Sequence, residues 1–230
     1  MHGVRSWSSV GDHSGPGRGM RCLQDVMARG VETLAETSLG AVMRFSKPLL
    51  VIDVETTGCD ETLHDVCEIG AVLLDMHLNE LDSYKSYVKP FSGHRDSKAM
   101  NVHLIQEATL AVAPEFKEVV AHVGAMLFRD NVEMPILAGW GVDFDRRFLR
   151  AGFKKAGLSW PFGHRVFDVR TVLVWECACR GLKYDTETGK GLQDGMDAVG
   201  LKFQGAAHGA YADAKNTADL LIHLADYRST

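Results

Sequence analysis

Two acids stand at the end of an apolar run in the stretch PLLVIDVETTGCD, Pro48 to Asp60. Leu49, Leu50, Val51 and Ile52 read as a strand buried on both faces. Residues i and i+2 of a strand point to the same side, so Asp53 and Glu55 share one wall with Val54 turned away. Two carboxylates in a partly buried place repel, and one of them keeps its proton through a raised pKa. A hard divalent cation such as Mg²⁺ relieves the repulsion, since it takes carboxylate oxygens together with phosphate and water. The competing reading is a strand end that reaches solvent, where the acids and the following TTG only mark a turn.

Two later stretches supply partners for these acids. In GWGVDFDRRFLRAGF a strand runs out at Trp140-Gly141, and Phe144, Phe148 and Leu149 begin the apolar face of a helix. Asp145 falls at the start of that helix, near the carboxyl end of a strand, where α/β folds place their sites. Asp143 competes for the same place, and either aspartate would also serve as an ordinary N-cap. In AAHGAYADAKNTADLL a helix is expected from about Ala210, which leaves His208 on the preceding loop and Asp213 in the first turns. Taken jointly, the three stretches offer four carboxylates and one titratable base. Imidazole, with an ordinary pKa of about 6.5, suits proton transfer near neutral pH.

The elements that must hold these side chains can be read along the chain. The 230 residues, 46% hydrophobic, suffice for one domain of ordinary size plus a tail. No apolar run approaches the roughly 20 residues of a membrane span, and the first twenty residues lack the hydrophobic centre of a signal peptide. A soluble, intracellular (cytoplasmic) protein without membrane contact is expected. The five cysteines include no C-x-x-C, so neither a disulfide framework nor a zinc site is expected. The chain divides near Lys47. Residues 1–47 form a leader that is Gly- and Ser-rich at first, with an apolar stripe of Leu23, Val26, Met27, Val31, Leu34 and Val42 suggesting an amphipathic helix. Residues 48–230 form the body.

Within the body, VCEIGAVLLD and LDSYKSYVKPF continue the first strand as an antiparallel meander. Pro114 opens a helix with apolar Phe116, Val119, Val120, Val123 and Leu127. MPILAGW reads as a buried strand, FDRRFLRAGFKKAG as a helix, RVFDVRTVLVWECACR as strand then helix, and HGAYADAKNTADLLIHLADYR as a helix. A meander followed by alternating helices and strands implies an α/β domain with a mixed sheet. Trp140 and Trp175 are expected to pack and not to serve as stacking platforms. Arg146, Arg150 and Lys154, four apart, either touch phosphates or form a solvated helix face. The leader carries six Lys/Arg against four acids, and the body 19 against 26, a net of −7. So acidic a body should not grip long duplex DNA by neutralising phosphates alone, and bound metal must supply much of any attraction to nucleic acid.

The motifs DVETTG, DVCEIGAVLLD, YVKP, VHLI, FDRRFL and HGAYADAKNTADLL together resemble the DEDDh 3′-to-5′ exonucleases, which include the proofreading epsilon subunit, RNase T and oligoribonuclease. The resemblance runs from about Leu49 to Ala225. It implies an RNase H-like α/β fold, a mixed five-stranded sheet with its first three strands antiparallel. It also implies two divalent cations, Mg²⁺ or Mn²⁺, on Asp53, Glu55, Asp145 and Asp213, with His208 as general base. Thr56 would back the terminal nucleotide, and Val102, His103 and Phe144 would flank the last bases. The implied partner is a nucleic-acid 3′ end, DNA or RNA, with a DNA polymerase or replication protein as a further candidate. Two departures bear on the substrate pocket. Trp140-Gly141 stands where His-Asn is frequent, and Leu104 replaces the usual glycine after VH. An RNase H-type endonuclease shares the fold and the acids, and a binding module without chemistry is the third class to weigh.

Overall fold

A computed structural model describes residues 44–184 and 191–227. The expected leader helix lies outside the described residues, apart from Arg44 and Phe45, which are not helical. Strand β1, Leu49–Thr56, pairs antiparallel with β2, Val66–Leu74, which pairs antiparallel with β3, Glu80–Tyr87. On its other side β1 runs parallel to β4, Ile136–Gly139, and β4 runs parallel to β5, Val166–Asp168. The sheet is mixed and five-stranded, as expected, and its order is β3-β2-β1-β4-β5, with β1 at the centre.

Seven helices are described: α1, Ser97–His103; α2, Glu107–Val112; α3, Phe116–Arg129; α4, Asp143–Lys155; α5, Val169–Arg180; α6, Leu192–Ala198; and α7, Ala210–Tyr227. They cover both faces of the sheet, and β1 shows why. Leu49 and Val51 join a core with Ala214, Ala218 and Leu221 of α7 and Leu173 of α5. Leu50, Ile52 and Val54 point the other way, into a core with Phe116 and Val119 of α3 and Phe148 and Leu149 of α4. The continuous apolar run is thus an alternation between two cores. Asp53 and Glu55 continue the Leu49/Val51 side, so they emerge toward the beginning of α7.

Three details correct the sequence reading. The helix after Pro114 is opened by Glu115, whose capping box with Glu118 satisfies free backbone N–H groups at its start. Helix α6 arises in GLQDGMDAVG, which gave no signal, because only Leu192, Gly195 and Met196 of its seven residues are buried. Trp140 does pack, against Tyr184, with ring centroids 6.5 Å apart. Trp175 does not: it is 62% exposed, because α5 turns Val169, Leu173, Glu176 and Cys177 inward and leaves position 175 outside.

Candidate active site

The carboxyl end of β1 is the floor of the site. Carboxylate oxygens of Asp53, Glu55 and Asp213 all lie within 4.8 Å of one another. Asp213 arrives on the first turn of α7, whose position is set by β2. Gly70 there meets the Ala210 backbone so closely that an added Cβ would sit 2.3 Å from its carbonyl. Two residues earlier on the same face, Glu68 accepts a hydrogen bond from the Ala210 N–H, 3.1 Å. Glu68 is 2% exposed and stands opposite Glu55 in the β1–β2 register. Sequence reasoning quoted this Glu-x-Gly within a motif but gave it no task. The signal was present: an acid inside a strand buried along its whole length.

Asp145 is 3% exposed in the first turn of α4, and its Oδ1 accepts the backbone N–H of Val54 at 2.9 Å. It is not one of the three clustered acids, but its charge acts on Asp53. The turn into α4 is fixed by Asp168, the N-cap of α5, whose Oδ1 also accepts the N–H of Gly141 at 2.9 Å. Gly141 has φ +67°, a conformation that glycine takes without steric cost. The Trp140-Gly141 departure is thus a turn device, tied to a partly buried carboxylate. Asp143 faces away: its side chain is 63% exposed and pairs with Arg146 at 2.5 Å and Arg147 at 3.6 Å.

His208 is exposed on the loop before α7, with φ +63°, and its backbone N–H bonds the Asp213 carboxylate. Thr56 is buried beside the site, its hydroxyl donating to the Gly58 carbonyl at 2.7 Å. His103 is half-buried at the end of α1, where its Nδ1 accepts from the Ile105 N–H at 3.0 Å and a backbone hydrogen bond links it to Thr56. Burial lowers its pKa, against that bond and the charge of Glu68. Leu104 caps α1 in the left-handed region, φ 57°, which explains why glycine suits this position. Val102 is half exposed on α1, and Phe144 lies on α4 against Phe148, centroids 4.7 Å apart.

Electrostatics sharpen the picture. Burial raises the Asp53 carboxyl well above its usual range, and Asp145, Asp213, Glu55 and Glu68 push it further. Burial lifts Glu55 to about 8, with Asp213, Glu68 and Asp145 adding to it. Asp145 rises to about 7, chiefly by burial, although the N–H groups of Val54 and of Asp145 itself oppose the rise. Asp213 rises to about 6 by burial, against the charge and N–H of His208. Four desolvated acids at one strand end are unstable as four anions. Their donor set is all oxygen, with no thiol among the converging ligands, and it fits a hard divalent cation.

Comparison with known proteins identifies the family and the fold. The RNase T family model, described as an exonuclease, matches residues 50–221. The chain is 34% identical over 115 residues to the DNA polymerase III subunit epsilon of Haemophilus influenzae, covering 48% of this chain and 43% of that one. It is 28% identical over 178 residues to the 3′-5′ exonuclease DinG of Staphylococcus aureus, covering 75% of this chain and 17% of that one. The chain therefore spans less than half the length of these curated relatives. In fold it matches the nuclease domain of 3′hExo, a DEDDh family member solved bound to rAMP, with TM-score 0.65 and 19% identity over 80% of this chain and 94% of that one. The five-stranded sheet is that of the RNase H-like nucleases. With the family model spanning β1 to α7, the chain belongs to the RNase T exonuclease family.

Proposed function

We propose that the chain is a metal-dependent 3′-to-5′ exonuclease that hydrolyses phosphodiester bonds at single-stranded or frayed 3′ ends and releases nucleoside 5′-monophosphates. The observation that carries this reading is the convergence of Asp53, Glu55 and Asp213 within 4.8 Å, with the Asp145 charge acting on Asp53. These four acids would hold the divalent cations, Mg²⁺ or Mn²⁺. When bound, such ions stabilise charge on the phosphoryl oxygens and ease ionisation of water. His208, on a loop and outside the carboxylate cluster, takes the proton of the attacking water as general base. Thr56 positions the terminal nucleotide, while His103, Val102 and Phe144 border the space beside it and flank the last bases. Residues 48–230 constitute the catalytic domain, and residues 1–47 lie outside the chemistry. The resemblance to epsilon supports a polymerase or replication protein as partner, and the metal-phosphate chemistry serves DNA and RNA alike. Among the described residues, no helix is long and apolar enough to cross a membrane.

The test uses DNA and RNA oligonucleotides of one sequence, labelled at the 5′ end, beside a circular single strand. With Mg²⁺ or Mn²⁺ a ladder shortening from the 3′ end is expected on a linear substrate, and the circle stays intact. Cutting of the circle would support the RNase H-type endonuclease instead. Full activity after exhaustive EDTA dialysis would overturn the metal-dependent reading.

A further inference from the structure

The outward side of α4 is as distinctive as its inward one. Arg146, Arg147, Arg150 and Lys154 line an open cavity of about 640 Å³ with Glu61 and Trp160. Some of this charge is matched locally. Arg147 lies 2.6 Å from Glu61, and Arg146 pairs with Asp143. Arg150 and Lys154 have no ion-pair partner among the described residues. A body of net charge −7 thus keeps two surplus cations side by side, one helical turn apart. Arg146 adds a buried Nε with no acceptor, a donor left without the oxygen it needs.

An aromatic platform completes the cavity. Trp160 is held edge-on by Phe153 and Phe162, with centroids 5.5 and 5.0 Å away. The Arg150 guanidinium lies 5.6 Å from its ring centre. Guanidinium groups match phosphate oxygens by their fork of donors, and indole rings stack on bases of any sequence. The walls also lead back to the acids. Arg146 follows Asp145 directly, the Arg147 guanidinium lies 5.8 Å from the Phe144 ring centre, and Glu61 sits on the loop that leaves β1 beyond Thr56. From Arg146 to Lys154 the helix advances about 12 Å at 1.5 Å per residue, room for about two or three phosphates.

We infer that this furrow holds the sugar-phosphate backbone of the substrate strand upstream of its 3′ end, with Arg150 and Lys154 on phosphates and Trp160 beneath a base. The inference rests on the exonuclease reading of the acid cluster, and extends it from the terminal nucleotide to the strand behind it. Substrates long enough to reach the furrow gain affinity there, and a dinucleotide does not.

The experiment compares the full chain with the Arg150→Glu/Lys154→Glu double variant on single-stranded oligonucleotides of 2 and 16 nucleotides. The ratio of kcat/KM for the 16-mer over the dinucleotide should fall about tenfold, and the salt slope for the 16-mer should shrink by about 1.4, or about 0.7 per lost phosphate contact. Arg150→Lys should keep most of the salt slope. An unchanged ratio, or equal losses on both lengths, overturns the inference. If the double variant melts at a lower temperature than the wild type, the single Arg150→Gln and Lys154→Gln variants replace it, each expected to give about half the change in slope. If no oligonucleotide is cleaved by the wild type, the exonuclease reading fails by itself. Fluorescence anisotropy of the labelled 16-mer in EDTA then decides the furrow: tighter binding by wild type than by the variant supports it, and equal binding overturns it.

Discussion

The inward and outward sides of α4 handle charge in opposite ways across one helix diameter, about 10 Å. Inward, Asp145 is desolvated, bonded to the Val54 N–H, and held near a pKa of 7 among other acids. Outward, Asp143 and the four cations are exposed or partly so, in contact with water and screened by salt. Burial makes each inward charge consequential, because no solvent compensates for changing it. Screening makes each outward charge weak alone, so the furrow acts by number. Substitutions inside should therefore act almost as all-or-none events, and those outside as graded, salt-dependent ones.

The largest expected effect tests the inward side. Asp145→Asn keeps an oxygen for the Val54 N–H and removes the charge, so the fold should survive while cleavage falls roughly 10³-fold or more. Melting temperature and single-turnover rate, measured together, check this. A folded variant with near-normal rate would move the chemistry away from α4.

His208→Ala should come next, with a loss of roughly 10²-fold and at most 10⁴-fold, the usual scale for a general base. High pH should partly rescue the variant by supplying hydroxide in place of the missing base. Mn²⁺ affinity by calorimetry should stay nearly unchanged. A defect cured by added metal alone would reassign His208 as a ligand.

A thermal effect follows from the raised carboxyls. Glu55, Asp145 and Asp213 hold protons in the folded chain to about pH 8, 7 and 6, above their ordinary values. The folded state then binds more protons than the unfolded one, so stability falls as pH rises through this range. In EDTA the melting temperature should drop by at least about 4 °C between pH 5 and 8.5, a change of about 1 to 2 kcal/mol for a chain of this size. Mg²⁺ or Mn²⁺ should flatten the slope by neutralising the wall. A metal-free slope of opposite sign would show that the acids are not desolvated as the geometry requires.

How much of this was legible in the sequence depended on whether a residue's task is local. Asp53 and Glu55 were visible because a period of two and an apolar run place them unaided, and His208 and Asp213 because a loop-to-helix boundary can be read from GAYADAKN. The antiparallel meander and the mixed character of the sheet were legible, whereas the strand order β3-β2-β1-β4-β5 was not. Glu68, Gly70 and Asp168 were not legible in role, since each acts on a segment distant in sequence: Ala210 for the first two, Gly141 for the third. The furrow shows the same limit. Its stripe on α4 was visible at four-residue spacing, but Trp160 and Glu61 join it only through the fold.

The choice between Asp143 and Asp145 is where spacing fell silent, because both stand in the first turn of one helix, two residues apart. Two positions on a helix differ by about 200° around its axis, so one of the pair must face the sheet and the other solvent. The structure turns Asp145 in and leaves Asp143 63% exposed between Arg146 and Arg147. Asp143→Asn should therefore be the smallest effect, a change in cleavage rate within about threefold, since an exposed ion pair is worth about 0 to 1 kcal/mol. Its direction is informative. Removing this carboxylate takes Arg146 out of its ion pair at the mouth of the furrow and leaves Arg147 on Glu61, so affinity for a 16-mer should rise slightly and its salt dependence should steepen. Anisotropy titrations of wild type and variant at two salt concentrations measure both. A loss comparable to that of Asp145→Asn would place the chemistry on the outward side of α4 and dissolve the contrast between its faces.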